Sequence, residues 1–115
     1  MADDCIFCKI IRKEIPANIA YEDDDVLAFH DIHPAAPVHL LIIPKVHVQK
    51  VGDFSDENSH IISKLVSASK HLAQGQGLYD EGYRLVINSG DNGGQTVYHV
   101  HMHLLGGRVM RWPPG

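Results

Sequence analysis

The segment His99-Val100-His101-Met102-His103-Leu104-Leu105 constrains the fold more than any other part of the chain. Its side chains alternate between imidazole and apolar with period 2, the signature of a β-strand. On a strand, His99, His101 and His103 project from one face, and Val100 and Met102 project from the other. The second face anchors the strand in a core, and the first carries three imidazoles. An imidazole serves near neutral pH as nucleophile, general acid or base, or metal ligand. The segment directly follows a glycine-rich run, Ser89-Gly90-Asp91-Asn92-Gly93-Gly94-Gln95-Thr96. A reaction centre beside an anion cradle is the expectation.

The rest of the chain supplies elements to hold such a strand. Cys5 to Lys13 reads as a short helix with Ile6, Ile10 and Phe7 turned inward, ended near Pro16. Ala20 to Glu22 and Val26 to Asp31 read as two strands joined by the polar turn Asp23-Asp24-Asp25, a hairpin. Pro34-Ala35-Ala36-Pro37 is a rigid connection. Val38 to Pro44 is a strongly apolar strand whose single polar residue is His39, by itself an ordinary core histidine. Ser55 to Gln74 is the long helix, with Ser55 as N-cap and Asp56 and Glu57 in its first turn. Its buried stripe is Ile61, Leu65, Ala68 and Leu72, and Gly75 and Gly77 terminate it. Tyr83 to Asn88 is a further strand. Gly106 to Gly115, with Trp112-Pro113-Pro114, continues neither sheet nor helix. The order predicts an α+β domain: an antiparallel sheet of about five strands with one long and one short helix. Exposed sheet edges favour dimerisation.

At 115 residues the chain is one domain with a modest core. The formal net charge of −4 argues against broad binding of DNA or RNA, while leaving room for a small nucleotide. No apolar run approaches the roughly 20 residues that cross a bilayer, so no membrane association is expected. Met1-Ala2-Asp3-Asp4 is acidic and lacks the basic-then-apolar order of a signal peptide. These features predict a cytoplasmic protein, or one shared with the nucleus. Cys5 and Cys8 do not form a secretory disulfide framework.

A neutral imidazole attacks phosphorus directly, and the phosphorylated imidazole is itself a good leaving group, so water completes the reaction. A neighbouring imidazolium can protonate the departing group. Backbone N–H groups of the glycine loop and the Thr96 hydroxyl can meet phosphate oxygens. The loop is no Walker A motif, because no Gly-Lys-Ser/Thr follows. The competing reading is a three-histidine metal site, since His-x-His on a strand also forms zinc pairs.

Phe29-His30-Asp31-Ile32, His39-Leu40-Leu41-Ile42-Ile43-Pro44 and Gly93 through Gly107 together resemble the histidine triad (HIT) family, in its histidine triad nucleotide-binding (HINT) branch. The match covers nearly the whole chain. Arg111-Trp112-Pro113-Pro114-Gly115 resembles the C-terminus of eukaryotic HINT proteins, and separates the chain from the dinucleoside polyphosphate hydrolase, decapping and uridylyltransferase branches. The resemblance implies a single HIT domain over residues 1–115, with 106–115 as a C-terminal tail, and a homodimer whose sheets join. It implies hydrolysis of purine nucleoside phosphoramidates such as AMP-lysine or AMP-NH2, with a purine nucleotide as ligand and no cofactor needed for catalysis.

Carried over by position, His101 is the nucleophile and His103 contacts the phosphate or leaving group. His39 and His99 orient the set or relay protons. Asp31 accepts from both ribose hydroxyls. Phe7, Ile10, Phe29, Ile32 and Leu41 form the base pocket, and Asn88, Gly94, Gln95 and Thr96 line the ribose and phosphate. Thr96 stands where this branch usually has Ser, and both offer a hydroxyl. Cys5-Ile6-Phe7-Cys8 departs from animal HINT proteins. In other members of the wider family such a pair binds zinc with two histidines, whose counterparts here are His47 and His99. Four protein ligands make a structural zinc site; the alternative is two reduced, half-buried cysteines. His30, His33, His60 and His71 are read as surface or packing residues. Two other functional classes stay open: a nucleotide-binding regulatory or scaffold protein with vestigial hydrolysis, and a metal-dependent hydrolase.

Overall fold

Residues 4–115 are described by a computed structural model; the reading of Met1 to Asp3 as an acidic start without a signal peptide lies outside them. Helix α1 (Ile6–Ile11) is followed by strands β1 (Ile19–Glu22), β2 (Val26–His30) and β3 (Val38–Pro44). Helix α2 (His60–Gly75), then β4 (Arg84–Val86) and β5 (Met102–Gly106), complete the order. The strands form one five-stranded sheet in the order β1-β2-β3-β5-β4, with every neighbouring pair antiparallel. This is the α+β architecture the pattern predicts.

Period 2 decides which side chain faces which helix. Val26 and Ala28 of β2, Leu40 and Ile42 of β3, and Met102 and Leu104 of β5 pack with Leu65, Ala68 and Leu72 of α2. The alternate residues Leu27, Phe29, Leu41 and Ile43 pack on the opposite face with Phe7 and Ile10 of α1. Each buried large aliphatic or aromatic side chain contributes about 1.5–3 kcal/mol through removal from water. The Asp23 turn closes the β1–β2 hairpin because Asp23 Oδ1 accepts from the backbone N–H groups of Asp25 and Val26 at 2.8 and 2.9 Å.

The elements differ from the sequence expectation in several details. The long helix starts at His60 after Ser59, not at Ser55. The Asn58 side chain accepts from the Ser55 N–H at 2.7 Å, which closes a turn where the helix was expected to begin. Its far end is as read: Gly77, with φ +72°, lets Leu78 N–H reach Ala73 O at 2.8 Å and Gly77 N–H reach Gln74 O at 3.2 Å, a Schellman closure. Ile6 is 49% exposed while Phe7, Cys8 and Ile10 are buried, so α1 turns a different residue outward than expected. The strand read over Tyr83 to Asn88 is the shorter β4, Arg84–Val86. The histidine strand proper begins at Met102 and extends through Gly106, one residue into the stretch read as tail.

Candidate functional site

The face of the sheet that packs on α1 carries the histidines. Register brings two of them together from distant parts of the chain. In the β3–β5 ladder Leu41 lies opposite His103, and His39 lies opposite Leu105. His39 and His103 are therefore diagonal neighbours on one face, within reach of each other. His39 Nε2 sits 2.9 Å from His103 Nδ1, and Asp31 Oδ2 is 3.5 Å from the same His39 nitrogen. His101 and His103 have ring centroids 5.0 Å apart, and the edge of Phe7 meets His101 at 5.1 Å. Phe7 touches both His99 and His101, and His101 meets His103 edge to face, but only His103 lies within β5, so the strand expected to carry all three histidines covers only the last.

Backbone partners assign the proton on each ring. Ala35 N–H donates to His39 Nδ1 at 3.0 Å, so neutral His39 carries its proton on Nε2 and donates toward His103 Nδ1. The His103 proton is then on Nε2. That nitrogen is buried and has no hydrogen-bond partner among the described residues. A buried unsatisfied donor costs about 1–3 kcal/mol, and an incoming acceptor removes that cost. His101 Nδ1–H donates to the His99 carbonyl at 2.8 Å, which leaves the His101 Nε2 lone pair bare. One nucleophilic nitrogen and one unpartnered donor thus sit on adjacent rings.

Electrostatics keep the second ring neutral. Burial, reinforced by His101 and His39, lowers the His103 pKa to about 4 against a weak opposing pull from Asp31. Burial also lowers His39, again opposed by Asp31. The Asp31, His39 and His103 set has the atom types of a metal site. His39 is unsuited to it, because with Nδ1 accepting from Ala35 the Nε2 atom holds a proton rather than a free lone pair.

Phe7, Ile10, Phe29 and Leu41 form one apolar cluster beside the histidines. Ile32, assigned to the same pocket from the sequence, is 86% exposed. Asp31 Oδ1 accepts from His33 N–H at 2.7 Å. In the glycine loop, Gly94 (φ +85°) lies 4.0 Å, by its absent Cβ, from Asn88 Nδ2. Thr96 is exposed at the loop's end. Gln95 instead holds the loop together. Its Oε1 accepts from Gly90 N–H at 2.9 Å, and its Nε2 donates to Gln49 O at 2.7 Å and Val97 O at 3.0 Å. The Gly94 and Gln95 N–H groups close turns onto Asp91 and Gly90, so they are already engaged, while Thr96 is exposed and carries a hydroxyl donor.

The Cys-x-x-Cys pair meets His47 and His99. Cys5 is the N-cap of α1, its Sγ accepting from Cys8 N–H. Cys5 Sγ lies 3.3 Å from His99 Nδ1, and Cys8 Sγ lies 3.4 Å from His47 Nδ1 and 3.6 Å from His99 Nδ1. The two Nδ1 atoms are 3.1 Å apart. A tetrahedral zinc with bonds of about 2.3 Å to sulfur and 2.0–2.1 Å to nitrogen has N···S edges of about 3.5 Å and an N···N edge of about 3.3 Å. The cluster matches that tetrahedron. His99 Nε2–H donates to Pro44 O at 2.9 Å, which leaves Nδ1 bare and aimed at the centre. Burial lowers the His99 pKa to about 4, and a neutral ring is what ligation requires. His99 therefore sits with the Cys5, Cys8 and His47 cluster and outside the His39–His103 pair. The rings of His30, His33, His60 and His71 belong to neither cluster; His71 lies against Tyr21 with centroids 5.2 Å apart.

The polar groups that sequence reading did not signal are main-chain ones: Ala35 N–H, Pro44 C=O, Val48 C=O and His99 C=O. Every residue type carries them, so no composition or spacing marks them.

Residues 12–110 match the HIT domain. A purine nucleoside phosphoramidase of Escherichia coli is 49% identical over 110 residues, covering 96% of this chain and 92% of that protein. A 14 kDa zinc-binding protein of Brassica juncea is 55% identical over 114 residues, covering 97% and 100%. A solved structure of a HIT family hydrolase from Legionella pneumophila aligns with a TM-score of 0.95 at 54% identity, covering 97% and 100%. The chain belongs to the HIT family, on its HINT-like side, and is a hydrolase.

Proposed function

We propose that this hydrolase cleaves the P–N bond of purine nucleoside 5′-phosphoramidates, of the AMP-lysine and AMP-NH2 type, through a nucleotidyl-His101 intermediate. The observation that carries the reading is the pairing of a bare His101 Nε2 with the unpartnered, buried Nε2–H of His103. The name of the Escherichia coli relative supports the substrate class.

His101 Nε2 attacks the α-phosphorus, the P–N bond breaks, and the nitrogen departs as an amine. The Nδ1–H bond to the His99 carbonyl disperses the positive charge that develops on the His101 ring. The His103 Nε2–H donates to the phosphoryl oxygen or the departing nitrogen, where negative charge grows. His39 and His103 share one proton across 2.9 Å, and His103 holds a second on Nε2. The pair is thus a neutral donor, and the extra proton on the amine comes from substrate or solvent. Water then attacks phosphorus, His101 leaves, and the nucleoside monophosphate is released. Phe7, Ile10, Phe29 and Leu41 hold the base, Asp31 accepts from the ribose hydroxyls, and Asn88, Gly94 and Thr96 line the phosphate. Ile32 caps the base from its exposed position, and Gln95 shapes the loop from within.

Cys5, Cys8, His47 and His99 hold a structural zinc in this reading; with four protein ligands it stabilises the fold and touches no substrate. The working unit is a homodimer, and its location is cytoplasmic or nuclear. The exposed Trp112 and Val109 of the tail dock on the partner near its site. Turnover of AMP and GMP phosphoramidates, with AppppA and ApppA as controls, tests the substrate class. His101→Ala is expected to lower kcat by several orders of magnitude and still bind AMP. Near-normal turnover by that variant, or preference for the dinucleoside polyphosphates, refutes the assignment.

A further inference from the structure

Three chain segments converge on the Cys5, Cys8, His47 and His99 cluster, and each also touches the groups that shape the nucleophile. Helix α1 contributes Cys8 and its N-cap Cys5. Between them Phe7 lays its ring against both His99 and His101, with centroids at 5.8 and 5.1 Å. The segment after β3 contributes His47. The next two carbonyls, Val48 O and Gln49 O, accept from Val100 N–H at 2.8 Å and from Gln95 Nε2 at 2.7 Å. The third segment contributes His99, whose own carbonyl accepts from His101 Nδ1–H at 2.8 Å.

The nucleophile's own stretch of backbone is in no strand, since β5 begins only at Met102. One peptide group makes two of the hydrogen bonds that hold it. The His99 carbonyl and the Val100 N–H belong to the same peptide plane. One edge of that plane accepts from His101, and the other donates to Val48. The plane is flanked on one side by the His99 ring, pinned through Nε2 to Pro44 O and through Nδ1 to the cluster. On the other side is Val48, next to the ligand His47. If ligation is lost, both flanks loosen, the plane can turn, and the His101 proton loses the acceptor that keeps it on Nδ1. A proton moved to Nε2 occupies the lone pair that must attack phosphorus.

We propose that metal binding at Cys5, Cys8, His47 and His99 positions the nucleophile, by locking the 99–100 peptide whose carbonyl holds His101 in its Nδ1–H tautomer. This rests on the reading of the cluster as a zinc site. His99 is a positioning residue: its side chain is a ligand and its main chain is the acceptor. Of the contacts proposed for base and ribose, Phe29, Asp31 and Leu41 stand on or beside β2 and β3, which pair with each other along their length, while Phe7 and Ile10 ride on α1 with the two cysteines. Metal loss therefore acts first on the formation of nucleotidyl-His101, and on nucleotide affinity only through the α1 side of the base pocket.

The test uses full-length protein with 15N-labelled histidine. Zinc content is measured, zinc is stripped with a chelator and then restored, and far-UV circular dichroism follows the fold. With zinc, the His101 ring is expected to show a protonated Nδ1 and an unprotonated Nε2. Stripping should mix the tautomers and slow single-turnover nucleotidylation about 10–100-fold, the usual cost of disturbing a ligand's outer partners, with a smaller loss of AMP affinity. Re-adding zinc should restore both signals. Zinc bound at about one per chain with an unchanged His101 tautomer and unchanged nucleotidylation after stripping overturns the inference and leaves the zinc site standing. Protein that binds no zinc overturns both. If the stripped protein unfolds, the reciprocal measurement decides, because coupling between two sites runs both ways. In folded, zinc-loaded protein, His101→Ala should weaken zinc affinity measurably, and His103→Ala, whose ring makes no bond to His99, should not. Equal zinc affinity in wild type and His101→Ala also overturns the inference.

Discussion

His103 is expected to stay neutral well into acid, and this should appear as a stability cost on acidification. Its pKa falls from an ordinary 6.5 to about 4 because burial and the neighbouring His101 and His39 disfavour the charged ring. A histidine with a depressed folded pKa is neutral in both states above pH 6.5. Between pH 6.5 and 4 the unfolded chain takes up a proton that the folded chain refuses, so stability falls as pH falls through that window. At 1.36 kcal/mol per tenfold change in proton affinity the ceiling is roughly 3 kcal/mol. Solvent screening at a half-buried ring reduces this to about 1–2 kcal/mol. Urea unfolding of wild type and His103→Gln at pH 7.5, 6.0 and 4.5 isolates the contribution, since every other titrating group is shared. Wild type should lose about 1–2 kcal/mol more than the variant across that range. Parallel losses, or an NMR titration midpoint for His103 above pH 6, would refute both the depressed pKa and the neutral-donor role built on it.

Three further outcomes follow from the geometry. 2′-Deoxy substrates should lose about 1.5–3 kcal/mol of transition-state binding, the worth of a hydrogen bond to a charged Asp31; equal kcat/KM for ribo and deoxy substrates removes Asp31 from the ribose. Gly93→Ala should distort the phosphate loop and lower activity more than stability, because the added Cβ would stand 2.5 Å from Ser89 O and 2.9 Å from Ser89 N, both main-chain atoms; wild-type turnover by this variant would mean the loop does not shape the site. Deleting Arg111 to Gly115 should change selectivity among leaving groups more than the melting temperature, with sedimentation showing a dimer at micromolar concentration; a monomer there would remove the tail from the partner's site.

Much of this site was legible in the sequence because local periodicity encodes facing. Alternation at 99–105 marked out the three neighbouring imidazoles, although only His103 stands on the strand, and helical spacing of Ile61, Leu65, Ala68 and Leu72 marked the buried stripe of α2. The ligand types of the Cys-x-x-Cys pair with His47 and His99 came through the family resemblance. Contacts the periodicity does not encode blurred the boundaries. Asn58 captures the Ser55 N–H at the point where α2 was expected to start. The His99 ring is bonded to distant partners, Cys5 and Pro44, and 99–101 stay out of the ladder.

By itself the sequence determined the α+β class, the identity of the two helices, the two-faced strands and the residue types able to do phosphorus chemistry. These follow from short-range spacing and side-chain chemistry, which need no partner to be read. Only the tertiary structure decided that His39 is the diagonal neighbour of His103, since that depends on the β3–β5 register across 64 residues. It alone brought Cys5, Cys8, His47 and His99 within ligand distance and turned Gln95 inward. It also assigned the ring protons of His39, His99, His101 and His103. Each of these rests on a contact between segments far apart in the chain, or on a backbone carbonyl or N–H that every residue possesses. Spacing carries no information about either until the chain is folded.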